Sequence, residues 1–99
     1  MSDLSRNAIK NEETDAFFDA VLSLKSKEDC YRFFEDICTI NELSSIAQRL
    51  EVARLLKGGK TFSVIAAQTG ASTATIARVN KCLQYGAGGY DLVLGNVKS

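Results

Sequence analysis

Ninety-nine residues is the length of one domain. The composition is that of an ordinary globular chain, 45% hydrophobic and 24% charged, with no proline and a net charge of zero. Histidine is absent, which removes the commonest general base and the commonest metal ligand together. Serine or cysteine nucleophiles activated by histidine are thereby excluded, and so are histidine-containing zinc sites. No constellation of carboxylates or lysines suggests catalysis, so the expectation is a protein that is not an enzyme and holds no metal or cofactor. Cys30, Cys38 and Cys82 have no paired CxxC spacing and read as small buried apolar side chains in a reducing compartment. The start, MSDLSRNAIKNEETD, lacks the apolar core of a signal peptide, and no apolar run is long enough to span a bilayer. A cytoplasmic protein with no membrane association is expected.

The neutral balance hides a segregation of charge. Residues 1–40 carry five Lys/Arg against nine Asp/Glu, whereas residues 41–85 carry six (Arg49, Arg54, Lys57, Lys60, Arg78, Lys81) against two (Glu42, Glu51). Asymmetry of this kind points to an anionic partner for the basic part.

In chain order, residues 1–11 show no apolar periodicity and are expected to form a flexible arm. Phe17, Phe18, Val21 and Leu22 then recur at helical spacing. Ser26-Lys-Glu-Asp29 reads as a capping box opening a helix with Cys30, Phe33, Phe34, Ile37 and Cys38 on one face. Thr39-Ile-Asn-Glu42 is a second capping box. Its helix is expected to turn Leu43, Ile46, Ala47, Leu50, Ala53 and Leu56 inward and to end at Gly58-Gly59. Two shorter helices follow, one capped by Thr61 and stopped at Gly70, the other capped by Ser72 and stopped at Gly86. Residues 90–98 hold Tyr90, Leu92, Val93, Leu94 and Val97, an apolar piece too short to be stable alone. It must pack back on its own domain or be buried by a second subunit; its spacing fits burial on more than one side, which favours a dimer. No segment alternates with period two, so the expected fold class is all-α.

The stretch FSVIAAQTGASTATIARVNK, within residues 61–85, has the pattern of a helix-turn-helix. Ala66 is the small residue where two helices cross, Gly70 the turn residue and Ser72 the cap, while Ile65, Ala71, Ile76 and Val79 supply the inner face. Ser72, Thr73, Ala74, Thr75, Ala77, Arg78 and Lys81 are short or basic and are read as facing outward. Small side chains let a helix N-terminus, with its free N–H groups and partial positive charge, approach base edges and phosphates. Thr73 and Ala77 are the candidates for base contact. Lys57, Lys60 and Lys81 are candidates for phosphates, with a merely solvated charge the alternative for each.

Three stretches, TINELSSIAQRLEVARLLKGG, TGASTATIARVNKCL and YGAGGYDLVL, resemble the tryptophan repressor family, most closely its small branch named YerC/YecD, over about half of the chain. The resemblance implies six helices per subunit, an interlocked homodimer and a transcriptional regulator of operator DNA. In that family two arginines sandwich the indole of the corepressor. Arg78 matches one; Arg49 matches the other across a one-residue gap, and Thr39 matches a pocket threonine, though helix capping alone also accounts for Thr39. Two positions depart from the pattern: Val79 stands where the repressor has glycine, and Cys82 where it has a ligand-holding serine. A valine forced against a flat aromatic ligand costs about 1–3 kcal/mol in overpacking, and the serine hydrogen bond is lost as well.

The reading is thus a homodimeric, sequence-specific regulator of double-stranded DNA in the bacterial nucleoid, acting without tryptophan. Thr39, Arg49, Arg78, Val79 and Cys82 mark a possible ligand pocket, and Arg78 has two competing roles, reaching phosphate or pairing with an acidic side chain. The alternatives are a repressor that senses another small molecule and a helical module that binds a protein through the acidic, aromatic N-terminal part.

Overall fold

A computed structural model describes residues 9–96. The chain divides into two compact units, Met1–Ile40 and Asn41–Ser99. The described residues form six helices and no strand, in accord with the all-α expectation. Residues 1–8 of the expected arm, and Val97 and Lys98 of the C-terminal piece, lie outside the described residues.

In the first unit, α1 spans Glu12–Leu22 and α2 Lys27–Ile37. The Asn11 side chain caps α1 by accepting the Thr14 N–H at 2.8 Å, and Glu12, Glu13 and Asp15 place negative charge in the first turn, where the helix dipole favours it. Ser26 caps α2 by accepting the Asp29 N–H at 3.0 Å. The returning half of the capping box is displaced by one residue. The Asp29 carboxylate accepts the N–H of Lys25, the residue before the cap, at 3.1 Å. Phe17 packs against Phe33 and Phe34 with ring centroids 5.9 and 6.4 Å apart, and Phe33 meets Phe34 edge-on at 5.3 Å. Even so, neither helix contains a buried residue: Phe17, Phe33 and Phe34 are half-buried, while Phe18, Leu22 and Ile37 are exposed. The cysteine expectation fails as well, since Cys30 and Cys82 are exposed and Cys38 only half-buried. Cysteine's preference for interiors is a compositional tendency, and helix position overrides it here.

The second unit holds the core. Helix α3 spans Ile40–Lys57, α4 Phe62–Thr69, α5 Thr73–Tyr85 and α6 Gly89–Asn96. Val52, Ala53 and Leu55 of α3, Ile65 of α4, Ala71 of the turn, and Ile76 and Val79 of α5 are buried together, with Leu56, Ala66, Leu83, Tyr90 and Leu94 packed against them. This corrects the expected inward face of α3. Ala53 and Leu56 do face the core, but Ile46, Ala47 and Leu50 are exposed, and Val52 and Leu55 take their place. The helix is apolar on two opposite faces, so periodicity alone cannot choose between them. Its end closes as read: Gly59, at φ +84°, lets its own N–H reach Leu56 O at 3.0 Å and the Lys60 N–H reach Leu55 O at 3.1 Å, which satisfies two terminal carbonyls. In α6, Tyr90 and Leu94, four residues apart, turn toward the core, while Leu92 and Val93 remain exposed.

Candidate nucleic-acid interface

Helices α4 and α5 form the helix-turn-helix. Thr61 caps α4 by accepting the Val64 N–H at 3.3 Å. The helix stops because Gly70 takes a left-handed conformation, φ +74°, while its N–H still bonds Ala66 O at 2.9 Å. Half-buried Ala66 leaves room for the crossing, and Ala71, 6% exposed, drops into the core beside Ile65 and Ile76. The Thr69 hydroxyl donates to Ile65 O at 2.8 Å and accepts the Ala71 N–H at 3.1 Å, bracing the turn.

The first turn of α5 carries short side chains and is capped by Ser72. Ser72 Oγ accepts the Thr75 N–H at 3.1 Å and donates to Thr75 Oγ1 at 3.0 Å. That leaves the amides of Thr73 and Ala74 without a partner among the described residues. They lie at the positive end of the helix dipole beneath short side chains. Thr73, Ala74, Ala77, Arg78 and Lys81 are exposed, whereas Thr75, read as outward, is half-buried and tied to Ser72. Val79 and Ile76 on the opposite face are 1% and 0% exposed, so the helix is anchored firmly from behind.

The cations differ in how they are engaged. Arg78, Lys81 and Lys60 are exposed and have no ion pair among the described residues. Lys57 pairs with Asp91 at 2.6 Å, and Arg54 with Glu51 at 2.6 Å. The Arg54 hydrogen bond holds the Glu51 carboxyl below the usual carboxylate range, and the same contact raises the guanidinium. Sequence reading missed Asp91 as the partner of Lys57 and Gln48 as a donor to Thr69 O at 3.1 Å; both are contacts between distant segments that no local spacing signals.

The residues of the possible ligand pocket are only partly brought together. A groove of about 470 Å³ is lined by Ile46, Arg49, Leu50, Cys82, Tyr90 and Val93, among others. Arg49 and Cys82 therefore share one cavity. Arg78 is exposed and Val79 lies in the core; neither lines the groove. Thr39 belongs to the first unit, immediately before α3. Arg49 is half-buried and has no acidic partner among the described residues. Among the described residues no group of three or more Cys, Asp or Glu side chains could hold a metal ion, and no helix is long and apolar enough to cross a membrane.

The chain is 56% identical over 90 residues to the uncharacterized protein YerC of Bacillus subtilis (strain 168), a match covering 91% of this chain and 86% of that protein. A candidate Trp repressor from Staphylococcus aureus superposes with a TM-score of 0.88 at 43% identity, covering 94% of this chain and 95% of its own. A TrpR-like protein from Eubacterium eligens ATCC 27750 gives a TM-score of 0.87 at 50% identity, covering 94% and 99% respectively. The family model described as Trp repressor protein matches residues 12–98. The chain belongs to the Trp repressor protein family, whose members are regulators rather than enzymes.

Proposed function

We propose that this protein is a sequence-specific regulator of transcription that binds double-stranded DNA as a homodimer through α4 and α5, without tryptophan. The observation that carries the reading is the first turn of α5. Two amides without a partner among the described residues, short side chains at Thr73, Ala74 and Ala77, and exposed Arg78 and Lys81, which have no ion pair among those residues, lie on one helix whose back is locked into the core. A helix of this form enters the major groove by its first turns. Lys60 and Lys81 serve as phosphate contacts, and Lys57 does so when released from Asp91.

Dimerisation is supported by apolar surface that a single chain leaves uncovered. Helices α1 and α2 bury no residue, and Phe18, Leu22, Ile46, Leu50, Leu92 and Val93 are all exposed. Such area is a strong driving force for association, at about 25 cal/mol for each Å² removed from water. A two-fold protein reads a two-fold site, so half-sites roughly 34–36 Å apart are expected. The place of action is the bacterial nucleoid in the cytoplasm.

Independence from tryptophan is supported by Cys82, which stands in the groove in place of the serine of the ligand-binding pattern, and by Arg78, which is absent from the groove. A second reading, regulation by an effector other than tryptophan, is favoured by Arg49 in the groove, which has no ion pair among the described residues. Footprinting on a selected DNA fragment, combined with sedimentation of the free protein, tests the main reading. Two protected half-sites one helical turn apart and a dimeric mass support it. A monomer that protects no DNA, yet retains a protein partner on its acidic α1–α2 unit, would replace it with an interaction module.

A further inference from the structure

Gln48 lies on the face of α3 that enters the core, preceding Val52 by four residues and Leu55 by seven. Val52 and Leu55 pack against Ile65, Ile76 and Val79 from behind. One turn earlier, where an apolar residue would continue the stripe, the half-buried Gln48 donates from Nε2 to Thr69 O at 3.1 Å. Thr69 is the last residue of α4, and its carbonyl is one of those that a helix end leaves without an internal partner. Its hydroxyl is also engaged, donating to Ile65 O and accepting from the Ala71 N–H. Thr69 is thus held on the side chain by its own motif and on the backbone by α3. Three residues later comes Ser72, the cap of α5, followed by Thr73.

We infer that Gln48 is a positioning residue for sequence reading, fixing the entry of α5 through the Thr69 carbonyl without touching DNA itself. The inference rests on the proposed use of α5 as the reading helix. The apolar core fixes the middle of α5 at Ile76 and Val79, whereas Gln48 provides the side-chain hydrogen bond from α3 to the turn that precedes its first residue. Without it the core holds, but the turn exchanges a fixed partner for water. Base contacts tolerate little displacement, because a side chain must meet a donor or acceptor at hydrogen-bond distance; phosphate contacts from long lysines tolerate more. Loss of the tether therefore acts on discrimination rather than on general affinity for DNA.

The test compares the full-length protein with Gln48→Met, which keeps the length of the side chain and removes the donor. Affinity is measured for a fragment selected by the wild type and for a shuffled fragment of the same composition, with thermal unfolding in parallel. The expected result is a loss of about fivefold on the selected fragment, the scale of one hydrogen bond, with less than a twofold change on the shuffled one. Gln48→Glu, which keeps the shape and cannot donate, should lower the ratio of the two affinities in the same way, since its added charge cancels between the fragments. An unchanged ratio in both variants, with the wild type still discriminating, overturns the role of Gln48 alone. A wild type that does not discriminate between the fragments overturns the reading-helix proposal and this inference with it.

Discussion

Lys57 Nζ lies 2.6 Å from Asp91 Oδ1 and ties the last turn of α3 to the first turn of α6, across 34 residues of chain. Both side chains are about half exposed (46% and 56%), so the pair adds little to stability. Under the proposed phosphate-contact role of Lys57 its consequence is competition, because the Asp91 carboxylate then occupies a cation that DNA would use. Asp91→Asn should leave the unfolding midpoint nearly unchanged. It should strengthen binding to DNA of any sequence and steepen the dependence of log affinity on log salt by about one. Titration at several salt concentrations checks this; an unchanged slope would exclude Lys57 from the contact surface.

Arg78 is exposed on the outer side of α5 and has no ion pair among the described residues, so its removal breaks no interaction seen there. Arg78→Ala should change stability by less than about 0.5 kcal/mol. Its affinity should fall on every DNA sequence, and its salt slope should drop by about one. Equal affinity in the variant would remove Arg78 from the interface.

Gly70 carries the turn at φ +74°, and a Cβ there would meet nothing within 4 Å. The cost of Gly70→Ala is thus backbone strain alone, about 1–2 kcal/mol. Urea unfolding measures it. A neutral result would mean that the turn relaxes out of the left-handed region.

The Glu51–Arg54 pair gives a pH signature of known sign. Because the folded-state carboxyl is held low, chiefly by the Arg54 hydrogen bond, the contribution is fully present above the ordinary carboxylate pKa. It is lost as the pH falls through the lowered value. Arg54→Gln should move the Glu51 titration upward toward that of a free glutamate in carboxyl-detected NMR. Both groups are exposed, so added salt should shrink the difference.

What the sequence made legible was local. Ser26, Thr61 and Ser72 cap helices through their own side chains, and Gly70 ends α4 through its own backbone, so three or four neighbouring residues suffice to read each. The inner face of the helix-turn-helix, Ile65, Ala71, Ile76 and Val79, was legible for the same reason. Helix α3 was misread because Ile46 and Leu50 on one side look as core-like as Val52 and Leu55 on the other, and only packing decides between them. Gln48 with Thr69 and Lys57 with Asp91 pair across 21 and 34 residues, where helical spacing carries no information. The groove gathers Arg49 and Cys82 but leaves Val79 in the core and Arg78 outside, a separation that depends on how α5 rotates against α3.

The most direct measurement of the central claim is selection of genomic fragments by the purified protein, followed by titration of the best fragment with and without L-tryptophan. The expected result is a two-fold-symmetric site bound equally well in both conditions, with affinity falling steeply as salt rises. Binding that requires tryptophan would contradict independence from that ligand, and failure to enrich any fragment would contradict sequence-specific reading by α5.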